Sequence, residues 1–249
     1  MIADGRCTTY GCRVTEPKIP PTPRLSKEAV VDRALELADA NGLEALTIRK
    51  LATELGVTPM ALYWHFRSKE ELLGGLVERV WSEIDVDVDP AAAWPDQLRA
   101  LLESLLAVLR AHPAASKLLL DFDKQTRASM RAAEVSLEIL LGVGFDPEIA
   151  SGIVRNALWT GIMLVMSDPG ADWLTDDEHA EHMRMKQISY ATLPPASFPR
   201  LVECAVPMTS FSDPEAHYEL GVSLFIAGVE ALARRRTAGG AGPTEPDVD

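Results

Sequence analysis

Residues 46–73 read LTIRKLATELGVTPMALYWHFRSKEELL, and this stretch carries the clearest local structural signals in the chain. It contains three helix starts, each marked by a hydroxyl side chain that can accept a hydrogen bond from a backbone N–H of the first turn. The three hydroxyl residues are Thr47, Thr58 and Ser68. Pro59 follows Thr58 at the first helical position, where the missing N–H costs no hydrogen bond. The stretch therefore predicts three consecutive helices.

The connection between the first two of these helices is a tight turn. Gly56 lies at the turn, and glycine tolerates the left-handed backbone that such a turn requires. Ala52 is small where two crossing helices come closest. Ser68 and Glu71 have the spacing of a capping box, which predicts the start of the third helix. This order indicates a helix-turn-helix in which residues 59–65 form the helix that enters the DNA major groove.

The same stretch resembles the DNA-binding domain of the tetracycline-repressor (TetR) family of bacterial regulators. The resemblance rests on the TxRxLAxxLGV pattern that begins at Thr47 and on the LYWHFxSKEELL run that begins at Leu62. A generic helix-turn-helix would not combine the aromatic pair Tyr63 and Trp64 with Lys69 at the next helix start. The resemblance implies an all-α protein with a helix-turn-helix domain followed by a helical domain that binds a ligand and forms a homodimer.

The later chain supports the same interpretation. Residues 109–115 (LRAHPAA) and 218–232 (YELGVSLFIAGVEAL) look like the ligand-binding domain of the subgroup that contains the tetracycline repressor itself. Apolar residues recur at helical spacing and no useful strand alternation appears, which also indicates an all-α fold. The expected parts are a flexible arm (1–24), the helix-turn-helix domain (25–72), the ligand-binding and dimerisation domain (73–236) and a disordered tail (237–249).

Two long apolar helices are predicted in the second domain, at residues 147–166 and 214–236. The first is apolar on nearly all sides, so we expect it to be buried on most of its circumference. Gly221 and Gly228 would allow close helix approach. In the resembling family two such helices pair with their symmetry mates in a four-helix bundle, which implies a homodimer.

Ten residues are candidates for DNA contact. Arg49 is the candidate for a bidentate contact with guanine, whereas Met60 and Ala61 can make only apolar contacts with base edges. The other candidates, expected at the phosphate backbone or at the helix start, are Thr47, Thr58, Pro59, Tyr63, Trp64, His65 and Lys69. Core packing remains an alternative for Tyr63 and Trp64, and structural capping for His65.

Charge is distributed unevenly along the chain, whose net charge is −13. Residues 24–79 carry eight basic and nine acidic side chains, whereas residues 80–249 carry 13 basic and 26 acidic ones. A nearly neutral DNA-binding part in front of an acidic body would orient the molecule on a polyanion and weaken non-specific binding.

The ligand pocket is less well defined by sequence. The candidate lining residues are Trp94, Phe122, Arg155, Asn156, Trp159, Met163 and Trp173, and for each of them ordinary core or interface packing is the alternative. The tetracycline repressor holds its drug through a magnesium ion bound partly by histidine. The segment after His112 (SKLLLDF, residues 116–122) has no histidine, which argues against a magnesium–tetracycline effector. We expect an apolar or differently polar small molecule, and no metal or cofactor.

These observations predict a ligand-responsive DNA-binding transcriptional regulator, a homodimeric repressor released from a palindromic operator by a small molecule. The alternatives are a constitutive DNA-binding protein without a ligand, and an enzyme. The histidines and carboxylates of residues 178–182 (EHAEH) do not form the HExxH zinc pattern, so an enzyme is not expected. Three cysteines indicate a reducing compartment, and no uncharged apolar run is long enough to span a membrane, so we expect a cytoplasmic protein.

Overall fold

The computed structural model describes residues 25–121, 125–167, 177–209 and 213–239. Within these ranges the backbone forms eleven α-helices, one 3-10 turn (Leu43–Ala45) and no strand, which confirms the all-α prediction. The helices are α1 (Lys27–Asn41), α2 (Ile48–Glu54), α3 (Pro59–Tyr63), α4 (Lys69–Glu83), α5 (Trp94–Ala111), α6 (Pro113–Asp121), α7 (Arg127–Gly142), α8 (Pro147–Met166), α9 (Asp177–Ala191), α10 (Pro199–Glu203) and α11 (Pro214–Gly239).

The helix starts are those that the hydroxyl residues predict. The Thr47 Oγ1 accepts a hydrogen bond from the Lys50 N–H at 3.2 Å, and the Thr58 Oγ1 accepts one from the Ala61 N–H at 3.3 Å. Each cap satisfies a backbone donor that has no partner inside its own helix. Because these bonds span only three residues, they form from the local sequence alone.

The predicted capping box at Ser68 is half correct. The Ser68 Oγ accepts a hydrogen bond from the Glu71 N–H at 3.2 Å, as expected. The Glu71 carboxylate, however, accepts from the N–H of Arg67 at 2.8 Å, one residue earlier than the box requires. This hydrogen bond holds the pKa of the Glu71 carboxyl below its usual value. The carboxylate also pairs with Lys27, which ties the start of α4 to the start of α1.

The helix-turn-helix unit has its own small core beneath α2 and α3. Leu46, Leu51, Leu62 and Phe66 are almost fully buried, and they join the apolar faces of α1 and α4. Gly56 has a φ of +65°, the left-handed conformation expected for the turn between α2 and α3. The helix-turn-helix prediction is therefore confirmed.

Some helix boundaries differ from those predicted. The helix α3 ends at Tyr63 rather than at residue 65, because the backbone there tightens and both the His65 and Phe66 N–H groups bond to the Leu62 carbonyl. The helix α11 runs three residues past the predicted end at Arg236. The short helix α10 was not predicted. The domain boundary after residue 72 stays a prediction, and α4 runs across it without a break, as the helical pattern there suggests.

The second part of the chain is built around α8, which packs against α5, α7 and α11. A Cβ atom on Gly221 would lie 2.4 Å from the Leu164 Cδ2, so glycine permits the close approach of α11 to α8 that the sequence suggested. The prediction that α8 is buried on most of its circumference is wrong for the single chain. Trp159 and Met163 are 51% and 53% exposed, because the neighbouring helices cover only one side of α8.

Candidate nucleic-acid interface and ligand cavity

The helix α3 is buried on one side and presents its other side to solvent. Leu62 is its buried residue and anchors it to the small core. Met60 is 67% exposed and Trp64 is 85% exposed, and Tyr63 is also exposed. Burial of the two aromatic side chains in the core, the alternative raised by the sequence, is therefore excluded. Large apolar groups held in water beside a helix start are typical of a binding surface.

The helices α2 and α3 pack against each other. Their N-termini contribute backbone N–H hydrogen-bond donors to the helix-turn-helix unit. Thr47 and Arg49 are exposed at the start of α2, and Thr58 and Pro59 are exposed at the start of α3. Helix N-termini favour anions because their first N–H groups lack intrahelical partners and the helix dipole is positive there. The remaining candidates lie nearby in sequence, with Ala61 and His65 half-buried and Lys69 exposed at the start of α4.

The basic residues of this unit fall into two groups. Lys27, Arg33 and Arg79 form ion pairs with carboxylates of α1, α2 and α4. The other group makes no ion pair within the described residues and consists of Arg49, Lys50, Arg67 and Lys69. These four cations flank α3 in sequence, so the positive charge available to a polyanion is concentrated around the predicted recognition helix.

A histidine joins this unit to the rest of the chain. His112, between α5 and α6, places its Nδ1 2.7 Å from the Asp39 Oδ2 of α1 and its Nε2 3.0 Å from the Glu83 Oε2 of α4. The other oxygen of Asp39 accepts a hydrogen bond from the Ala114 N–H at the start of α6. Glu83 also pairs with Arg79. A ring that faces a carboxylate at each nitrogen can donate to both only when it is protonated.

Burial alone would lower the pKa of the His112 imidazole. The hydrogen bonds and negative charges of Asp39, and then of Glu83, outweigh it, so the pKa lies above its usual value. Sequence reasoning missed this contact because Asp39 is 73 residues away from His112 and Glu83 is 29 residues away.

A cavity of about 540 Å³ lies among α4, α5, α7 and α8. Its described wall is mainly apolar and consists of Trp81, Ile84, Leu98, Leu101, Leu102, Leu105, Leu119, Gln125, Ser129, Met130, Ala132, Ala133, Ser136, Val154, Arg155, Ala157 and Leu158. The size and the mixture of an apolar wall with a few polar groups are typical of small-molecule sites.

The structure brings one of the predicted ligand residues to this cavity, Arg155. Trp94 packs against the core at the start of α5, and the Asn156 side chain is exposed, with its amide donating to the Gly152 carbonyl at 2.8 Å. Trp159 and Met163 lie on the uncovered side of α8. Phe122 and Trp173 lie outside the described residues. Trp81 on α4 and Gln125 just before α7 were missed from the sequence, because their local patterns do not show which side chains face a cavity.

The fold and these two features define a helix-turn-helix DNA-binding protein with a separate, mainly apolar cavity in its helical body. The model of the bacterial regulatory proteins of the tetR family matches residues 30–76, and that of the tetracyclin repressor-like C-terminal domain matches residues 88–233. The chain therefore belongs to the tetracycline-repressor family. It is a ligand-responsive, DNA-binding transcriptional regulator.

Individual relatives agree with this assignment over most of the chain. An HTH-type transcriptional regulator of Saccharopolyspora erythraea is 27% identical over 85% of this chain and 87% of its own length. The class C tetracycline repressor of Escherichia coli is 26% identical over 84% of this chain and 92% of its own length. The crystal structure of the TetR family protein ActR of Streptomyces coelicolor, in complex with actinorhodin, matches with a TM-score of 0.72. It is 28% identical, over 84% of this chain and 99% of that one.

By length and composition, one helix in the described ranges could cross a membrane. This is α8, with a mean hydropathy of 1.4 in its most apolar window. No spanning segment was expected from the sequence, because no uncharged apolar run is long enough. A single helix of this kind is weak evidence for a membrane protein.

Proposed function

We propose that the protein is a homodimeric repressor, released from a palindromic operator when a small molecule occupies the cavity. The observation that carries the proposal is the position of α4. Near its start α4 is joined to α1 by the Lys27–Glu71 ion pair, and Trp81 near its end and Ile84 just after it form part of the cavity wall. A ligand that displaces these two side chains would move the helix on which the DNA-binding unit is mounted.

Release follows from the spacing of two recognition helices in a dimer. Binding in two successive major grooves requires a separation near one helical turn, about 34–36 Å. A ligand that binds better to a state with a different separation shifts the population towards that state. A body without a cavity would favour the alternative of a constitutive DNA-binding protein. The presence of a cavity therefore argues against that alternative.

The dimer interface is proposed at the uncovered faces of α8 and α11. Trp159 and Met163 on α8, with Leu220 and Leu224 on α11, expose large apolar surfaces in the single chain. Exposed apolar patches of this kind mark interaction sites. Nothing within 4 Å would meet a Cβ atom on Gly228 of α11, so a partner helix could approach closely there. A soluble dimer of this kind would act in the cytoplasm.

The DNA-contact residues are proposed as the sequence reading assigned them. Arg49 would read a guanine, and Met60 and Ala61 would make apolar base contacts. The phosphate contacts would come from the exposed hydroxyl, aromatic and basic groups around α2 and α3, with His65 the least exposed of them. The four unpaired cations support this assignment, because they need no ion pair to be broken before they bind phosphate.

The experiment that tests the proposal is selection of bound duplexes from a random DNA pool. We expect an inverted repeat, and we expect Arg49→Ala to lose about 1–3 kcal/mol of discrimination at one G·C pair of each half-site. Arg131→Ala is the matched control, because Arg131 is an exposed arginine of α7 far along the chain from α2 and α3. An unchanged base preference in Arg49→Ala would refute the assignment of Arg49, and a selected site without two-fold symmetry would refute the dimeric mode of binding.

A further inference from the structure

The polar groups of the cavity wall differ in how many of their hydrogen bonds are already made. The Ser129 Oγ donates to the Thr126 carbonyl and accepts from the Thr126 N–H, so its capacity is largely used. The Ser136 Oγ donates its hydrogen to the Ala132 carbonyl at 2.8 Å. Neither hydroxyl therefore has a hydrogen free for a ligand.

Arg155 and Gln125 are different. Within the described residues, the Arg155 guanidinium makes no ion pair or hydrogen bond, and the Gln125 side-chain amide makes none either. A guanidinium offers five N–H donors in a planar fork that matches a carboxylate or a similar anion. The unused polar capacity of the wall is thus dominated by donors.

The described part of the cavity wall also contains no aspartate or glutamate. The acidic side chain that reaches α7 from α4 is Glu78, and its carboxylate accepts the Ala128 N–H at 3.3 Å without lining the cavity. The only charged side chain in the described wall is therefore the Arg155 guanidinium, in a protein whose net charge is −13. Arg155 is exposed at the edge of the cavity, where its charge disfavours a cationic ligand and can pair with an anionic one.

We propose that the effector is an apolar, ring-containing molecule that carries an anionic group, and that Arg155 pairs with this group while the leucines and Trp81 enclose the rings. This inference rests on the proposed function, because it assumes that the cavity is the effector site. Gln125 provides a further donor for a second oxygen of the ligand.

The test uses two fluorescent probes with the same aromatic skeleton. Anilinonaphthalene sulfonate carries an anionic group, and phenylnaphthylamine is the uncharged counterpart. We expect Arg155→Gln to weaken sulfonate binding by about tenfold, the loss of a hydrogen bond to a charged group, and to leave binding of the uncharged probe unchanged. Arg155→Lys keeps the charge and should retain sulfonate binding within about threefold. Arg131→Gln is the control for an equal change in net charge outside the cavity.

A cavity-filling variant separates failure of this inference from failure of the proposed site. Ala133→Trp should weaken the binding of both probes, because Ala133 lines the cavity. Ala133→Leu serves the same purpose if the larger side chain prevents folding. If both fillers leave both probes unaffected, the probes bind elsewhere and the cavity is not the ligand site. The other outcome is that the cavity-filling variants weaken binding of both probes, while Arg155→Gln lowers the affinity of both probes equally or of neither. The cavity is then still the ligand site, and an anionic effector is refuted.

Discussion

Removal of the His112 side chain should destabilise the protein in a way that depends on pH. In His112→Ala, the carboxylates of Asp39 and Glu83 lose the cation between them. Their side chains are 19% and 25% exposed, so water can replace the lost partner only in part. Two hydrogen bonds to charged groups are lost, at about 1.5–3 kcal/mol each when well shielded. Partial exposure reduces the sum, and we expect a loss of about 2–3 kcal/mol in the free energy of unfolding at pH 6.

The sign of the pH dependence follows from the pKa of His112, which is raised in the folded protein. A raised pKa means that the folded state binds the proton more tightly than the unfolded state does. The resulting stability is fully present below the unfolded pKa, about 6.5, and is lost as the pH rises through the folded pKa. The difference between wild type and His112→Ala should therefore be largest near pH 6 and shrink towards pH 9.

The assay is urea unfolding of both proteins at pH 6 and pH 9, followed by circular dichroism at one fixed protein concentration, because a dimer's stability depends on concentration. His182→Ala is the matched control, since His182 is exposed on α9. A loss below about 0.5 kcal/mol at pH 6, within the usual range for surface substitutions, would refute a stabilising role for the contact. An equal loss at both pH values would refute the protonated, doubly donating histidine.

Three further predictions concern single elements of the fold. Thr58→Ala should cost about 1 kcal/mol of stability through loss of the α3 cap, whereas Thr58→Ser should cost little, both measured by urea unfolding. Gly56→Ala should cost about 1–2 kcal/mol because its φ of +65° strains any residue with a Cβ atom, whereas Gly142→Ala, at a position without positive φ or close neighbours, should not destabilise. Leu224→Asp should place charges in the proposed α8–α11 interface and yield monomers in sedimentation velocity; a dimer equal to wild type would exclude this interface.

Two structural connections join the cavity to the helix-turn-helix unit. One is the continuous helix α4, which forms part of the cavity wall near its end and pairs with α1 through Lys27 and Glu71 near its start. The other is the contact of His112 with α1 and α4, which fixes the junction of α5 and α6 against the DNA-binding unit. Leu98 and Leu105 of α5 line the cavity, so a ligand could also act through this junction.

The sequence alone determined the DNA-binding unit. Its signals act over three or four residues, as in the caps of Thr47 and Thr58 and the turn at Gly56, so they need no tertiary structure to be read. The helical body was also predictable as a set of apolar helices. Exposure along α3 was predictable in part. Met60 and Trp64, which are expected to contact DNA, are exposed, and Leu62 is the one buried residue of the helix.

The cavity and the contact at His112 depend on tertiary packing and could not be predicted from the sequence. Apolar periodicity shows that α8 has faces to bury but not which neighbour covers each of them. Trp159 and Met163 were expected beside a ligand, and they lie instead on the uncovered side of the helix. Cavity walls and charged contacts join residues far apart in sequence, and their distances depend on how whole helices pack. That packing is set by the sum of many side-chain contacts, which no local pattern encodes.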